Sequence, residues 1–189
     1  FDPARFVSNA PSGKMGYAIA KAALQRGATV TLVSGPTSLE TPFGATRVDV
    51  VTTQDMLTAC QAHLSLAHAL IMAAAPADYR PSDSGPRKLK KDTAQESLSV
   101  TLTRTPDILK TLNARAQGKV VVGFAAESHD LEAQALKKLT HKDLDMIVAN
   151  DITHPQAGFA KDTNAVSFFM RDCKQQRLPV MPKREVAHA

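Results

Sequence analysis

Apolar residues at Met15, Ala18, Ile19, Ala22 and Ala23 recur three and four apart, which predicts a helix over Met15–Arg26 that stops at Gly27. The run that follows, ATVTLVSG (Ala28–Gly35), reads as a buried strand ending in a turn, and RVDVV (Arg47–Val51) reads as a second short strand. A helix then starts with Thr52 or Thr53 as its N-cap and continues to Ala67. ALIMAAA (Ala69–Ala75) is a further buried strand, ending at Pro76. Residues 81–97, PSDSGPRKLKKDTAQES, are polar and rich in helix breakers, the pattern of a mobile loop. LSVTLTR (Leu98–Arg104) alternates as a strand does. TPDILKTLNARA predicts a helix over 105–116, with Thr105 as N-cap and Pro106 in the first helical position. KVVVGFAAE (Lys119–Glu127) is a strand, DLEAQALKKLTHK (Asp130–Lys142) an amphipathic helix and LDMIVAND (Leu144–Asp151) another strand. The tail from Asn164 predicts a hairpin and the opening of a last helix.

Helices alternating with continuous apolar strands imply a mainly parallel sheet covered on both faces: an α/β protein with a three-layer α/β/α, Rossmann-like fold and a C-terminal β-hairpin. Ligands of such sheets bind beyond the carboxyl ends of the strands. That rule gathers AAAPADYRP, GFAAE and ANDI at one edge, with the 81–97 loop above them.

Composition narrows the class. The 189 residues suit a single domain, 1–189, with 43% hydrophobic and 22% charged positions, and no apolar run approaches the roughly 20 residues of a membrane span. The opening FDPARFV has no signal-peptide plan and no initiator methionine, so the chain is expected to be a piece of a longer polypeptide, and the two cysteines, too few for a disulfide framework, point to a reducing cytoplasm. Cys60 and Cys173 have neither disulfide-framework nor zinc spacing, and Cys60 falls in a predicted amphipathic helix, where it packs. The six histidines form no triad or metal pattern. A net charge of +5 is one mark of nucleic-acid binding, but with no Trp, two Tyr and seven Phe the aromatic interleaving for base stacking is poor, and a small polyanionic ligand explains the lysines equally well; no nucleic-acid partner is expected.

SGKMG before a helix aims backbone N–H groups and a helix dipole at an anion, which makes Ser12, Gly13, Lys14 and Gly16 candidate phosphate- or substrate-binding residues. The spacing is neither a Walker P-loop nor GxGxxG. Asn9 is either a turn-forming amide or a donor to a developing oxyanion in acyl transfer. Asp78 is either a cap or a carboxylate holding a ribose, a base amine or a metal. Glu127 reads as a structural cap and Asn150-Asp151 as a turn. The lysines of KLKK, beginning at Lys88, form either a solvated run or a cationic closure over a triphosphate. Lys138 and Lys142 share one helical face and read as a solvated pair.

Together DPARFVSNAPSGKMGYAIAKAALQRGATVTLVSGP, AAAPADYRP, KLKK, TPDIL, VVGFAAES and LDMIVANDI resemble the phosphopantothenate–cysteine ligase family of bacterial coenzyme A synthesis, along the chain from about Asp2 to Ala189. The resemblance implies a CTP-dependent acid–amino-acid ligase. CTP activates 4′-phosphopantothenate as an acyl cytidylate with release of pyrophosphate; L-cysteine then displaces CMP to give phosphopantothenoylcysteine, with Mg²⁺ assisting. It also implies a homodimer and fusion to, or association with, a flavin-dependent decarboxylase domain, where FMN would reside. Carried onto this sequence, Asn9 meets the acyl cytidylate and Lys88 meets the triphosphate, both as catalytic residues. Met72, Ala73, Ala74, Asp78, Pro106, Asp107, Ile108, Leu109, Phe124, Lys138 and Lys142 bind the nucleotide, which turns the solvated lysine pair into pocket residues. Four departures accompany the resemblance: Pro11 where the family has serine, Pro76 where it has valine, the expected lack of the strand that precedes DPxRF, and an expected early stop in the final helix. A nicotinamide-dependent Rossmann oxidoreductase is disfavoured by the missing GxGxxG and Tyr-x-x-x-Lys patterns. A non-catalytic nucleotide-binding module is the other rival.

Overall fold

Gly13 starts the first helix, α1 (Lys14–Gln25), at φ +72°, a conformation that costs glycine little and other residues more. The computed structural model describes residues 2, 4–9, 12–85, 87, 88, 97–113, 116–158 and 161–189. Besides the predicted apolar stripe, α1 buries Tyr17 and Ala20. The Tyr17 hydroxyl shares a 2.9 Å hydrogen bond with Ser34 at the end of β1 (Thr31–Ser34), and α5 (Lys183–His188) packs along the helix. α2 (Thr53–Leu64) takes Thr52 as its N-cap in a reciprocal capping box: Thr52 Oγ1 accepts from Asp55 N at 3.0 Å, and the Asp55 carboxylate accepts from Thr52 N at 2.9 Å. The Thr52 N–H holds the Asp55 carboxyl below its usual range.

The central sheet runs in the order β10-β9-β7-β6-β3. β3 (Ala69–Met72), β6 (Val120–Glu127) and β7 (Met146–Asp151) are parallel, while the hairpin of β9 (Val166–Met170) and β10 (Gln175–Arg177) adds antiparallel to β7. β1 pairs in parallel with β2 (Thr46–Asp49), Leu32 lying opposite Arg47. Alternation along the strands sorts side chains into two cores. Val121, Ala125, Ile147, Ala149 and Phe169 face α2, α3 (Ile108–Asn113) and α4 (Leu131–His141), whereas Val122, Val148, Val166 and Phe168 face Met15 of α1 and Val186 of α5. Fully buried Leu112, Leu144 and Ile147 each contribute about 1.5–3 kcal/mol, against about 0–1 for an exposed ion pair, so apolar packing holds the layers together. The mainly parallel α/β architecture with its late hairpin is as the sequence predicts. No helix among the described residues is long and apolar enough to cross a membrane.

Several local expectations are corrected. β3 ends at Met72 rather than Pro76, so 73–78 are freed to border the sheet edge. β4 (Tyr79–Pro81) enters the predicted loop at Pro81 and pairs with β5 (Leu102–Arg104), which is shorter than the predicted 98–104 strand; Leu98 and Val100 lie outside it, exposed. Pro86 and 89–96, including Lys90 and Lys91, fall outside the described residues, as does Pro11. Thr105 caps no helix, because its Oγ1 donates to Ala77 O at 2.6 Å; the Asp107 carboxylate instead accepts from Lys110 N at 3.1 Å, and α3 begins at Ile108. Asn150 and Asp151 belong to β7, Asn150 opposing Ala126 and Val166. The turn follows them, with Asp151 Oδ1 accepting from Thr153 N at 2.9 Å.

Candidate functional site

The carboxyl end of β3, the middle of β6, the start of β7, residues of the freed 73–78 segment, α3 and α4 border a cavity of about 150 Å³. Its floor is apolar: Met72, Ile108, Leu109, Gly123, Phe124, Leu144 and Ile147. Its rim is polar, with Asp78, Thr105, Asp107, Lys138 and Lys142 joined by Ala74, Pro76, Ala77 and Pro106. Gly123 lets the floor pack tightly, since a Cβ there would lie 2.7 Å from Leu144 Cδ1 and 3.2 Å from Leu109 Cδ2. The volume is below the roughly 300–1,000 Å³ of ordinary ligand pockets.

That rim carries matched charges. Lys138 Nζ lies 2.6 Å from Glu127 Oε1, and the Glu127 side chain is 11% exposed. Lys142 Nζ reaches both Asp107 carboxylate oxygens, at 3.1 and 3.2 Å. Burial would raise the Asp107 carboxyl, but the Lys110 N–H and Lys142 outweigh it and hold the group below its usual range. Lys138 and Lys142 thus line the cavity while paired with carboxylates. A polyphosphate brought to the rim competes for both.

The turn before α1 meets this cavity through Asn9. Its Nδ2 donates to Ala75 O at 3.1 Å and Pro76 O at 3.2 Å, and Pro76 is on the cavity rim. Gly16 lies beside Ala73, and a Cβ there would make an ordinary 3.8 Å contact with the Ala73 methyl. Ala73 consequently faces α1 rather than the cavity, which corrects its expected place beside Met72 and Ala74. Gly13 lies under Leu39 and Thr37, the Ser12 hydroxyl accepts weakly from Lys14 N at 3.4 Å, and Lys14 Nζ pairs with Asp162 at 2.6 Å. Lys88 is exposed and does not line the cavity.

The structure thus brings Met72, Ala74, Asp78, Pro106, Asp107, Ile108, Leu109, Phe124, Lys138 and Lys142 into one cavity, while Asn9 does not line it but bonds to Pro76, which does. Thr105, read as a helix cap, and Gly123, expected at this edge only as part of GFAAE, also line the cavity, whereas Glu127 stands beside it. Glu127 is a partner of Lys138 rather than a cap, and its place on the strand before that helix was the available signal. Cys60 packs against the core as expected, and burial pushes its thiol up. Among the described residues no group of three or more His, Cys, Asp or Glu side chains is arranged to hold a metal ion.

A family model described as DFP, the DNA/pantothenate metabolism flavoprotein C-terminal domain, matches residues 1–189. The coenzyme A biosynthesis bifunctional protein CoaBC of Bacillus subtilis (strain 168) is 44% identical over 187 residues, 98% of this chain and 46% of its own length. CoaBC of Escherichia coli (strain K12) is 46% identical over 173 residues, 90% of this chain and 43% of that protein. The chain therefore spans about half the length of the curated relatives it matches. A crystal structure of the C-terminal domain of a CoaBC protein superposes with a TM-score of 0.83 at 42% identity, covering 98% of this chain and 83% of the other.

Proposed function

Because the chain belongs to the DNA/pantothenate metabolism flavoprotein C-terminal domain family, we propose that it performs the CTP-dependent ligation of 4′-phosphopantothenate with L-cysteine in coenzyme A biosynthesis. The observation that carries this reading is the pairing of a small, apolar-floored cavity with two lysines on its rim and an amide-bearing turn beside it. In this scheme the pyrimidine ring occupies the floor against Phe124 and Met72, and Asp78 accepts a hydrogen bond from the cytidine. Lys138 and Lys142 leave Glu127 and Asp107 for the triphosphate oxygens. A carboxylate oxygen of the phosphorylated acid attacks the α-phosphorus; the bond to the β-phosphate oxygen breaks, and pyrophosphate leaves. The cysteine amine then attacks the acyl carbon, its proton is lost, and CMP departs. The turn at Ser12–Gly16 draws in the acid's phosphate, and Asn9 contacts the acyl cytidylate.

Mg²⁺ would neutralise triphosphate charge. The described acidic residues suit an ion carried mainly on nucleotide oxygens, with Asp78 the rim carboxylate not paired with a lysine among them. Lys88 would reach the triphosphate from its exposed loop. A homodimer, a cytoplasmic setting and a linked FMN-dependent decarboxylase complete the proposal.

Incubation with 4′-phosphopantothenate, CTP and Mg²⁺, omitting cysteine, should yield an acyl cytidylate and pyrophosphate; added cysteine should consume the intermediate and release CMP. A folded sample that releases no pyrophosphate contradicts the reading.

A further inference from the structure

Lys183 is only 6% exposed, an unusual place for an ammonium. Its Nζ donates to Gly158 O at 2.8 Å, to Thr163 O at 3.4 Å and to Lys161 O, while its backbone N–H donates to Asp162 O at 2.8 Å. An ammonium has three donors, and here backbone carbonyls take all three. One residue thereby ties down the chain at 158 and 161–163 through both its side chain and its main chain.

What that segment presents is a grip on the first turn of α1. The Asp162 carboxylate lies 2.6 Å from Lys14 Nζ, and Asn164, 4% exposed, donates through Nδ2 to Met15 Sδ at 3.4 Å. β11 (Met181–Pro182) reinforces the grip by pairing Met181 with Asn164 and Pro182 with Thr163 on β8 (Thr163–Asn164). Two successive helix residues, Lys14 and Met15, are therefore held by the 162–164 segment that Lys183 anchors. They follow directly on the Ser12–Gly13 turn.

We propose that Lys183 is a positioning residue for the phosphorylated acid: by fixing the segment that carries Asp162, it sets Lys14 and the anion-binding turn of α1 in place. This inference rests on the ligase reading above. Burial lowers the affinity of Lys183 for its proton, as does Lys14, while Asp162 opposes them, so the three charges act on one another. Lys183 also adds a buried positive charge behind a helix N-terminus that already favours anions. Its removal acts on geometry and on potential together, and both effects fall on the acid rather than on the nucleotide cavity.

Lys183→Met removes the donors, and Asp162→Asn, at an exposed carboxylate, removes the link without disturbing the core. Each should raise KM for 4′-phosphopantothenate about tenfold while KM for CTP stays within about twofold, and the double variant should be no worse than Lys183→Met alone. Unchanged KM values, or equal rises for both substrates, overturn the proposal; so does a fall in Tm with substrate constants intact. If Lys183→Met does not fold, the same comparison on Asp162→Asn decides. A wild-type protein that makes no acyl cytidylate sinks the ligase reading alone. Amide exchange then decides this inference: faster exchange at residues 12–17 as well as 161–164 in Lys183→Met supports the clamp, and unchanged exchange at 12–17 refutes it.

Discussion

Replacing Lys138 by methionine should lower kcat/KM for CTP about a hundredfold, equivalent to about 2.7 kcal/mol of lost transition-state stabilisation. Two effects combine in that loss. The triphosphate loses one of the two rim cations, a half-exposed one whose contact is strengthened only as far as the bound nucleotide excludes water. Glu127, 2.6 Å from Lys138 Nζ and largely buried, is left as an unpaired carboxylate facing the incoming phosphates. Glu127→Gln in the same background should recover part of the loss, because it removes the repulsion but not the missing cation. Pyrophosphate release under steady-state conditions measures both variants. A loss below about threefold in Lys138→Met would show that the lysine is a solvated surface group.

Asn9→Asp should slow amide formation from the acyl cytidylate about a hundredfold while pyrophosphate release persists. The amide donates to Ala75 O and Pro76 O, which lie 3.1 and 3.2 Å away. A carboxylate has no hydrogen to give either carbonyl and adds negative charge beside an anionic intermediate. Asn9 is exposed, so folding should be unaffected. Single-turnover reactions that resolve the two half-reactions test the split, and an unaltered second half-reaction removes Asn9 from the chemistry.

Apolar periodicity carried most of the fold. The three-and-four spacing of α1 and the continuous runs of β6 and β7 each report a buried face directly, and these elements appear within a few residues of their predicted ends. Local hydrogen bonds to distant partners were less legible. Thr105 has the look of a cap in sequence, yet its hydroxyl is taken by Ala77, 28 residues away, and α3 starts later for that reason. The cavity residues came from family resemblance, whereas the floor at Gly123 depends on Leu144 and Leu109 crossing above it, which no local pattern announces. Strand alternation beyond Met72 could have separated Ala73 from Met72 and Ala74, since neighbours along an extended chain face opposite ways. Lys183 is invisible by the same standard: a lysine opening a helix reads as solvated until the carbonyls that surround it are located.

Methyl NMR of the protein labelled at its six methionines would test the central claim most directly. Met72 is the one methionine lining the cavity, Met15 lies in the first turn of α1, and Met170 sits on the β9 strand away from both. CTP with Mg²⁺ should shift the Met72 methyl and leave Met170 in place, and 4′-phosphopantothenate should then shift Met15. A CTP titration that moves Met170 or Met181 while the Met72 signal stays fixed would place the nucleotide elsewhere and contradict the account.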